Sequence, residues 1–235
     1  MSGSVSGEVA VVIPALNEAD RISATVTAAL GLPAVALVVV VDDGSKDATA
    51  TAARRAGAVV TRHARNRGKG AALETGAEAV RLLDQREQRD PARHLLFLDA
   101  DLGGTAALAG PLIEPVVAGA ADMTIAVFTT TVKLGGHGLV VGLSGAGIRR
   151  ATGWRPAQPL NGQRCLTRAA FEAARPLARG WGVETALSID LLRKGLRVTE
   201  VEVELAHRAT GTGMRAQLHR AHQLTDVARA LAARL

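Results

Sequence analysis

The sequence predicts an α/β fold: a mostly parallel central sheet flanked by helices. Three observations lead there. Short β-branched runs alternate with helical periodicities through the first half of the chain. The connections have the length that joins strand to helix in a doubly wound sheet. Each apolar run of that half also ends in polar or special residues, as strand ends facing a ligand crevice do.

The elements follow in order. Val9 to Ile13 is a β-branched run closed by Pro14, which cannot continue a central strand. Asn17 and Glu18 lead into a helix over Arg21–Leu30, where Ile22, Val26 and Leu30 recur at helical spacing, and Gly31 and Pro33 stop it. Ala36–Val41 is uninterruptedly apolar, as a strand buried on both faces should be. Asp42-Asp43-Gly44-Ser45 is a turn, and Asp47 is an N-cap for a helix over Ala48–Ala56. A strand at Val59–Thr61, a basic loop, a helix from Lys69 to Asp84 and a strand at His94–Leu98 complete this half, and the last runs into Asp99-Ala100-Asp101.

The second half is less regular. Thr105–Ala118 reads as a helix despite Pro111 and Pro115, and Met123–Val127 as a strand. Thr129–Gly147 is rich in Gly and Thr without a firm period, which predicts a mobile loop. Helices are expected over Arg168–Ala178 and Val183–Lys194, a one-face strand over Leu196–Leu205 and an amphipathic basic helix over Arg215–Leu235. With no linker or repeat, residues 1–235 form a single expected domain.

Composition limits the function. Aromatics are 2% of the 235 residues, which argues against base-stacking platforms, and the basic residues form no long block, so nucleic acid is not expected as a partner. The net charge of +6 suits a phosphate-bearing ligand. A single cysteine, Cys165, excludes an internal disulfide and a cysteine-built zinc site. Apolar runs too short for a bilayer, and no leader pattern over Met1–Glu8, give a cytoplasmic location as the expectation.

Four polar clusters fall on one edge of the predicted sheet: Pro14-Ala15-Leu16-Asn17-Glu18, Asp42-Asp43-Gly44-Ser45, Arg65-Asn66-Arg67-Gly68-Lys69-Gly70 and Asp99-Ala100-Asp101. Each alone reads as a turn or cap. Their joint placement is what a ligand site predicts. A P-loop is lacking, which excludes an ATPase of that type. The ordered set VVIPALNE, VVVVDDGSKDAT, ARNRGKGAA and LLFLDADLGG resembles family 2 glycosyltransferases with the GT-A (Rossmann-like) fold. The resemblance implies a nucleotide-sugar-binding half over residues 9–125 and an acceptor-binding half over 126–235.

That resemblance implies roles. A diphosphate leaving group needs its growing charge neutralised, and two carboxylates one residue apart offer hard oxygen ligands to Mg²⁺ or Mn²⁺. Asp101 is the expected metal ligand and catalytic group, with Asp99 on the metal, the ribose or both. Pro14, Ala15, Asn17, Glu18 and Asp42 or Asp43 would line the nucleoside pocket, and Arg67 and Lys69 would approach the diphosphate. Gly180-Trp181-Gly182-Val183-Glu184 together with Ala206-His207-Arg208 is similar to the C-terminal signature of glucosyl-3-phosphoglycerate synthases. This implies His207 as a third metal ligand and Glu184 against the acceptor hydroxyl or donor sugar. Gln163 and Arg164 would orient sugar or acceptor.

The expected reaction moves a hexose from a nucleotide-diphosphate sugar, UDP-sugar first and GDP-mannose second, to a small hydroxylated or phosphorylated acceptor. Arg149, Arg150, Arg155 and Arg164 offer charge to the acceptor's phosphate or carboxylate. Glu184 suits an inverting or a retaining scheme. The alternatives are a polyprenyl-phosphate transferase at a membrane surface and a non-catalytic nucleotide-sugar-binding protein. The tail helix, with Leu218, Ala221, Leu224, Val227 and Leu231 near one face, would meet a membrane in the former case. Otherwise it packs on the domain or on a second copy in a homodimer.

Overall fold

The computed structural model describes residues 8–129, 138–205 and 214–235. Seven strands form one sheet in the order β3-β2-β1-β4-β6-β5-β7. They are β1 (Val9–Ala15), β2 (Val35–Asp42), β3 (Val59–Arg62), β4 (His94–Phe97), β5 (Met123–Phe128), β6 (Arg164–Leu166) and β7 (Val198–Val203). Only β6 runs against its neighbours, pairing antiparallel with both β4 and β5. The helices are α1 (Ile22–Leu30), α2 (Thr49–Arg55), α3 (Lys69–Arg86), α4 (Gly110–Val117), α5 (Gly138–Thr152), α6 (Arg168–Ala174), α7 (Val183–Arg193) and α8 (Met214–Ala232).

Strand alternation divides the core. Val9, Val11, Ile13, Val38 and Val40 face one layer with Ile22 and Val26 of α1 and Leu112 and Val116 of α4. Ala10, Val12, Val39 and Val41 face the other with Ala72, Leu73, Ala77 and Val80 of α3 and Val183, Leu187 and Leu191 of α7. Two-sided burial is why β1 and β2 read as unbroken apolar runs. A third cluster joins Val140 and Ile148 of α5, Ile189 of α7, and Val227 and Leu231 of α8.

The sheet order reverses between β1 and β4, so the crevice beyond their carboxyl ends is the natural ligand position. Most strand and helix expectations hold within a residue or two, with six differences. β1 continues through Pro14 to Ala15, because its ladder with β4 has already ended at the pairing of Val12 with Phe97 and no bond on that side needs the missing N–H. The helix expected over Arg168–Ala178 ends at Ala174, ahead of Pro176. The loop expected over Thr129–Gly147 is helical from Gly138 onward, because Val140, Ser144, Gly147 and Ile148 form a buried stripe that its many glycines disguised; residues 130–137 lie outside the described residues. β6 was not anticipated: at three residues it is too short to show a period. Thr105–Ala118 is a 3-10 segment, Gly103–Ala109, followed by α4. The N-cap position of α2 is Ala48, while Asp47 one residue earlier accepts from the Thr49 N–H at 3.0 Å.

Candidate functional site

Two turns at the carboxyl ends of β1 and β2 are tied to each other. The Asn17 N–H donates to Ser45 Oγ at 2.9 Å, and the Lys46 N–H donates to Asn17 Oδ1 at 2.8 Å. The Glu18 N–H reaches Thr49 Oγ1 at 2.8 Å and the Ala19 N–H reaches Asp47 Oδ2 at 3.2 Å. Asn17 holds φ +57, a left-handed conformation that a non-glycine residue adopts at some cost and that these bonds sustain. Pro14 is half-buried and Ala15 buried, whereas Asn17 is exposed and Glu18 half-buried at the mouth.

The paired aspartates at the end of β2 turn inward, whereas their expected role has one of them facing the nucleoside. Asp42 is fully buried: Oδ1 accepts from the Ser45 N–H at 2.8 Å, and Oδ2 lies 3.1 Å from Arg62 Nε. That second contact is an ion pair without hydrogen-bond alignment. Asp43 accepts from the Arg67 and Gly68 N–H groups, each at 2.8 Å, and pairs with His63 Nδ1 at 2.6 Å. His63 Nε2 in turn meets Thr75 Oγ1 of α3 at 2.9 Å. Neither carboxylate is held out for a base or ribose; both brace turns, and Asp43 sets the entry of the basic loop. Gly44 is required where these turns meet: its φ is +84, and a Cβ there would lie 2.7 Å from the Arg65 backbone.

The basic loop delivers Lys69 to two carboxylates. Its Nζ lies 2.8 Å from Asp99 Oδ1 and 2.9 Å from Glu184 Oε1, and 5.9 Å from the centroid of the Trp181 ring. Burial works against the ammonium charge, but Asp99 and Glu184 more than offset it and hold the Lys69 pKa above its ordinary value. Gly162 is where Lys69 crosses the backbone, since a Cβ there would sit 2.3 Å from Nζ. The Arg67 side chain is exposed at the rim.

Asp99 is held on two sides. Its N–H donates to Gln163 Oε1 at 2.8 Å, and Gln163 Nε2 donates to Asp99 Oδ2 at 2.7 Å. Gln163 has no solvent exposure, so it orients Asp99 rather than a ligand. Asp99 and Asp101 lie in a turn beyond β4, not in the strand itself. Arg21 donates to the Asp101 carbonyl oxygen at 3.2 Å, and the Thr25 hydroxyl bonds the Ala100 carbonyl at 2.8 Å. Among the described residues no three His, Cys, Asp or Glu side chains converge as a metal-binding group. His207 lies outside the described residues.

Glu184 occupies the first turn of α7, 4% exposed, where the helix dipole favours its charge. Arg164 departs from expectation. At 1% exposure it donates to the carbonyls of Asn161 (2.8 Å) and Pro159 (3.1 Å) and to Ser188 Oγ (3.0 Å). Desolvation pulls its pKa down to about 10, and Glu184 and Glu200 oppose that only partly. It supports the floor of the site and cannot present charge to an acceptor. Arg149, Arg150 and Arg155 are exposed on α5 and the turn after it.

Sequence reading missed His63, Thr75, Arg62 and Asp226. Asp226 of α8 accepts from the Trp181 N–H at 3.1 Å, and a Cβ on Gly180, at φ +59, would lie 2.0 Å from its carboxylate. No local pattern signals these residues, because each acts on a partner remote in sequence. The tail helix also differs from an interfacial one over its last turns: Val227 and Leu231 are buried on the protein, and Arg234 bonds Asp190 bidentately at 2.7 and 2.6 Å.

A sheet with this order, crevice and carboxylate turn is that of the GT-A class. The chain belongs to glycosyl transferase family 2, whose model matches residues 10–138. It is 44% identical over 75 residues to the uncharacterized protein MJ1222 of Methanocaldococcus jannaschii, a match covering 32% of this chain and 30% of that one. It is 29% identical over 216 residues to the glycosyltransferase AglJ of Haloferax volcanii, covering 87% of this chain and 65% of AglJ. The chain therefore matches less than two thirds of either relative's length. Among solved structures, glucosyl-3-phosphoglycerate synthase of Mycobacterium tuberculosis in complex with Mn²⁺, UDP and phosphoglyceric acid superposes with a TM-score of 0.77 at 25% identity, covering 97% of this chain and 78% of that one. The same synthase has been solved with Mg²⁺ and UDP, and with Mn²⁺, UDP-glucose and glycerol 3-phosphate.

Proposed function

We propose that the protein transfers a hexose from a UDP-sugar to a small hydroxylated or phosphorylated acceptor, with Mg²⁺ or Mn²⁺ at the donor diphosphate. The observation that carries this reading is the junction of Lys69, Asp99 and Glu184 at the sheet edge, where the two halves of the chain meet. The nucleoside lies against Pro14, Ala15, Asn17 and Glu18. The carboxylates of Asp99 and Asp101 fit a hard divalent cation, with His207 as the third protein ligand. Such a cation, when bound, neutralises the charge that grows on the departing diphosphate.

The chain's own groups do the rest. Gln163 fixes the rotamer of Asp99, so the carboxylate is presented in one orientation before any ligand arrives. Lys69 keeps a positive charge between the donor and acceptor sides, and it holds the Glu184 carboxylate in place at 2.9 Å. Glu184 accepts a hydrogen bond from the acceptor hydroxyl or a donor-sugar hydroxyl, orienting it for transfer. Arg67 at the rim attracts the donor's phosphates. The glucosyl-3-phosphoglycerate synthase complexes, with UDP-glucose and phosphorylated three-carbon acceptors, support this substrate class.

A thermal-shift panel of UDP, GDP, dTDP, CDP and ADP, each with Mn²⁺ and with EDTA, tests the reading. UDP is expected to raise the melting temperature in Mn²⁺ and to lose most of that shift in EDTA. A metal-dependent shift with GDP alone would move the donor to a GDP-sugar. No shift with any nucleotide would overturn the transferase site.

A further inference from the structure

The net charge of +6 is not spread evenly. Between Met123 and Phe171 there are six basic residues and no acidic one, and between Leu205 and Thr225 three basic and no acidic. The remainder of the chain holds 19 basic against 22 acidic residues. The excess therefore lies in the stretches that contain α5 and lead into α8.

α5 is amphipathic in an unusual way. Its inward stripe, Val140, Ser144, Gly147 and Ile148, packs on α7 and α8, with Gly147 so close to Leu231 that a Cβ would fall 2.2 Å from it. Its outward stripe, at the same helical spacing, is Leu139, Leu143, Ala146 and Arg150, with Arg149 beside it. Leu139 is 82% and Leu143 36% exposed. An open cleft of about 260 Å³ between α5 and the next turn is lined by Gly145, Ala146, Arg149, Arg155 and Pro156. No described carboxylate pairs with Arg149, Arg150 or Arg155, and α5 carries none of its own. The helix and the turn after it thus present two aliphatic side chains followed by three guanidinium groups, Arg149 and Arg150 on α5 and Arg155 beyond it.

We infer that this face of α5 docks the enzyme on an anionic lipid surface. Leu139 and Leu143 enter the acyl boundary, and Arg149, Arg150 and Arg155 meet lipid phosphates, with the cleft admitting a headgroup. A nucleic acid would use the arginines but gain little from exposed leucines, and no aromatic side chain stands on this stripe to stack on bases. No helix among the described residues is long and apolar enough to cross a membrane, so the contact is peripheral. The inference does not depend on which acceptor the site takes.

Co-sedimentation with phosphatidylcholine vesicles, with and without phosphatidylglycerol, tests it. Binding is expected only with the anionic lipid and should weaken as salt rises. Arg149→Gln with Arg150→Gln should lower affinity about 25-fold, since each basic residue near such a surface contributes roughly fivefold. Leu139→Ser with Leu143→Ser should lower it about tenfold or more. Both double variants should keep the parent melting temperature and its UDP-dependent shift, which separates loss of docking from misfolding. If the parent shows no such shift, the donor reading fails while the vesicle result still decides this one. Equal binding to neutral vesicles, unchanged binding by either variant, or tighter binding to single-stranded RNA that the leucine changes leave intact would overturn the inference.

Discussion

The donor and acceptor sides of the proposed site are built by different means. On the donor side, backbone N–H groups of one turn bond side chains of the next: Asn17 with Ser45, Glu18 with Thr49, Arg67 and Gly68 with Asp43. On the acceptor side, charged and amide side chains reach across the chain to one another: Gln163 to Asp99, and Glu184 to Lys69. The donor edge therefore has many small restraints that share a load, whereas the acceptor edge concentrates its order in a few buried charges. Loss of one hydrogen bond is expected to loosen the first by degrees and to disrupt the second outright.

The largest expected effect lies at the carboxylates proposed to hold the metal. Asp101→Ala should lower kcat by about a thousandfold or more, with Mn²⁺-dependent UDP binding lost in calorimetry, because the charge on the leaving diphosphate goes uncompensated. Retained turnover in EDTA would show that neither half needs the cation.

Lys69→Met comes next and tests the concentrated side directly. It leaves Asp99 and Glu184 facing each other in a mostly buried position, for an expected stability loss of about 3 kcal/mol by urea denaturation. A loss under about 1 kcal/mol would place the pair in water and erase the contrast.

Asp43→Ala probes the distributed side. Three donors lose one acceptor, with an expected cost of about 2 kcal/mol, and hydrogen exchange should quicken at the Arg67 and Gly68 amides. The donor KM should rise several-fold with kcat nearly kept. If kcat falls as far as Asp101→Ala lowers it, the loop is part of the chemistry rather than its frame.

The smallest effect lies far from the site. Burial holds the His94 pKa below 6.5, with Arg168 adding to this and Glu8 opposing it. The unfolded chain thus binds a proton that the folded one resists. Stability from neutral His94 is present above pH 6.5 and is lost as pH falls toward the folded value. His94→Asn should flatten part of the fall in melting temperature below pH 6.5, and an identical profile would assign that fall to other groups.

The same contrast explains what could be read from the residues. The donor turns were legible because each follows its own strand, and the strands declared themselves as apolar runs. The inward turn of Asp42 and Asp43 was not, since a carboxylate beside a glycine turn looks alike whether it faces ligand or backbone. Arg164 looked like a surface charge because a three-residue strand carries no period, and only pairing with β4 and β5 shows it buried. α5 was hidden by glycines that would weaken an isolated helix. Their value lies in close packing, as at Gly147 against Leu231. The join of Glu184 to Lys69 is a tertiary event, invisible to any local pattern.

The bond from Asp226 to the Trp181 N–H has a consequence for synthesis of the chain. The turn that leads into Glu184 is held by a residue made 45 positions after Trp181, and Gly147 has its packing partner, Leu231, later still. During translation the nucleotide-binding strands can pair while the acceptor side still lacks its brace. A nascent chain halted before α8 is therefore expected to hold a nucleotide without a finished transfer site, which makes α8 the expected checkpoint of assembly.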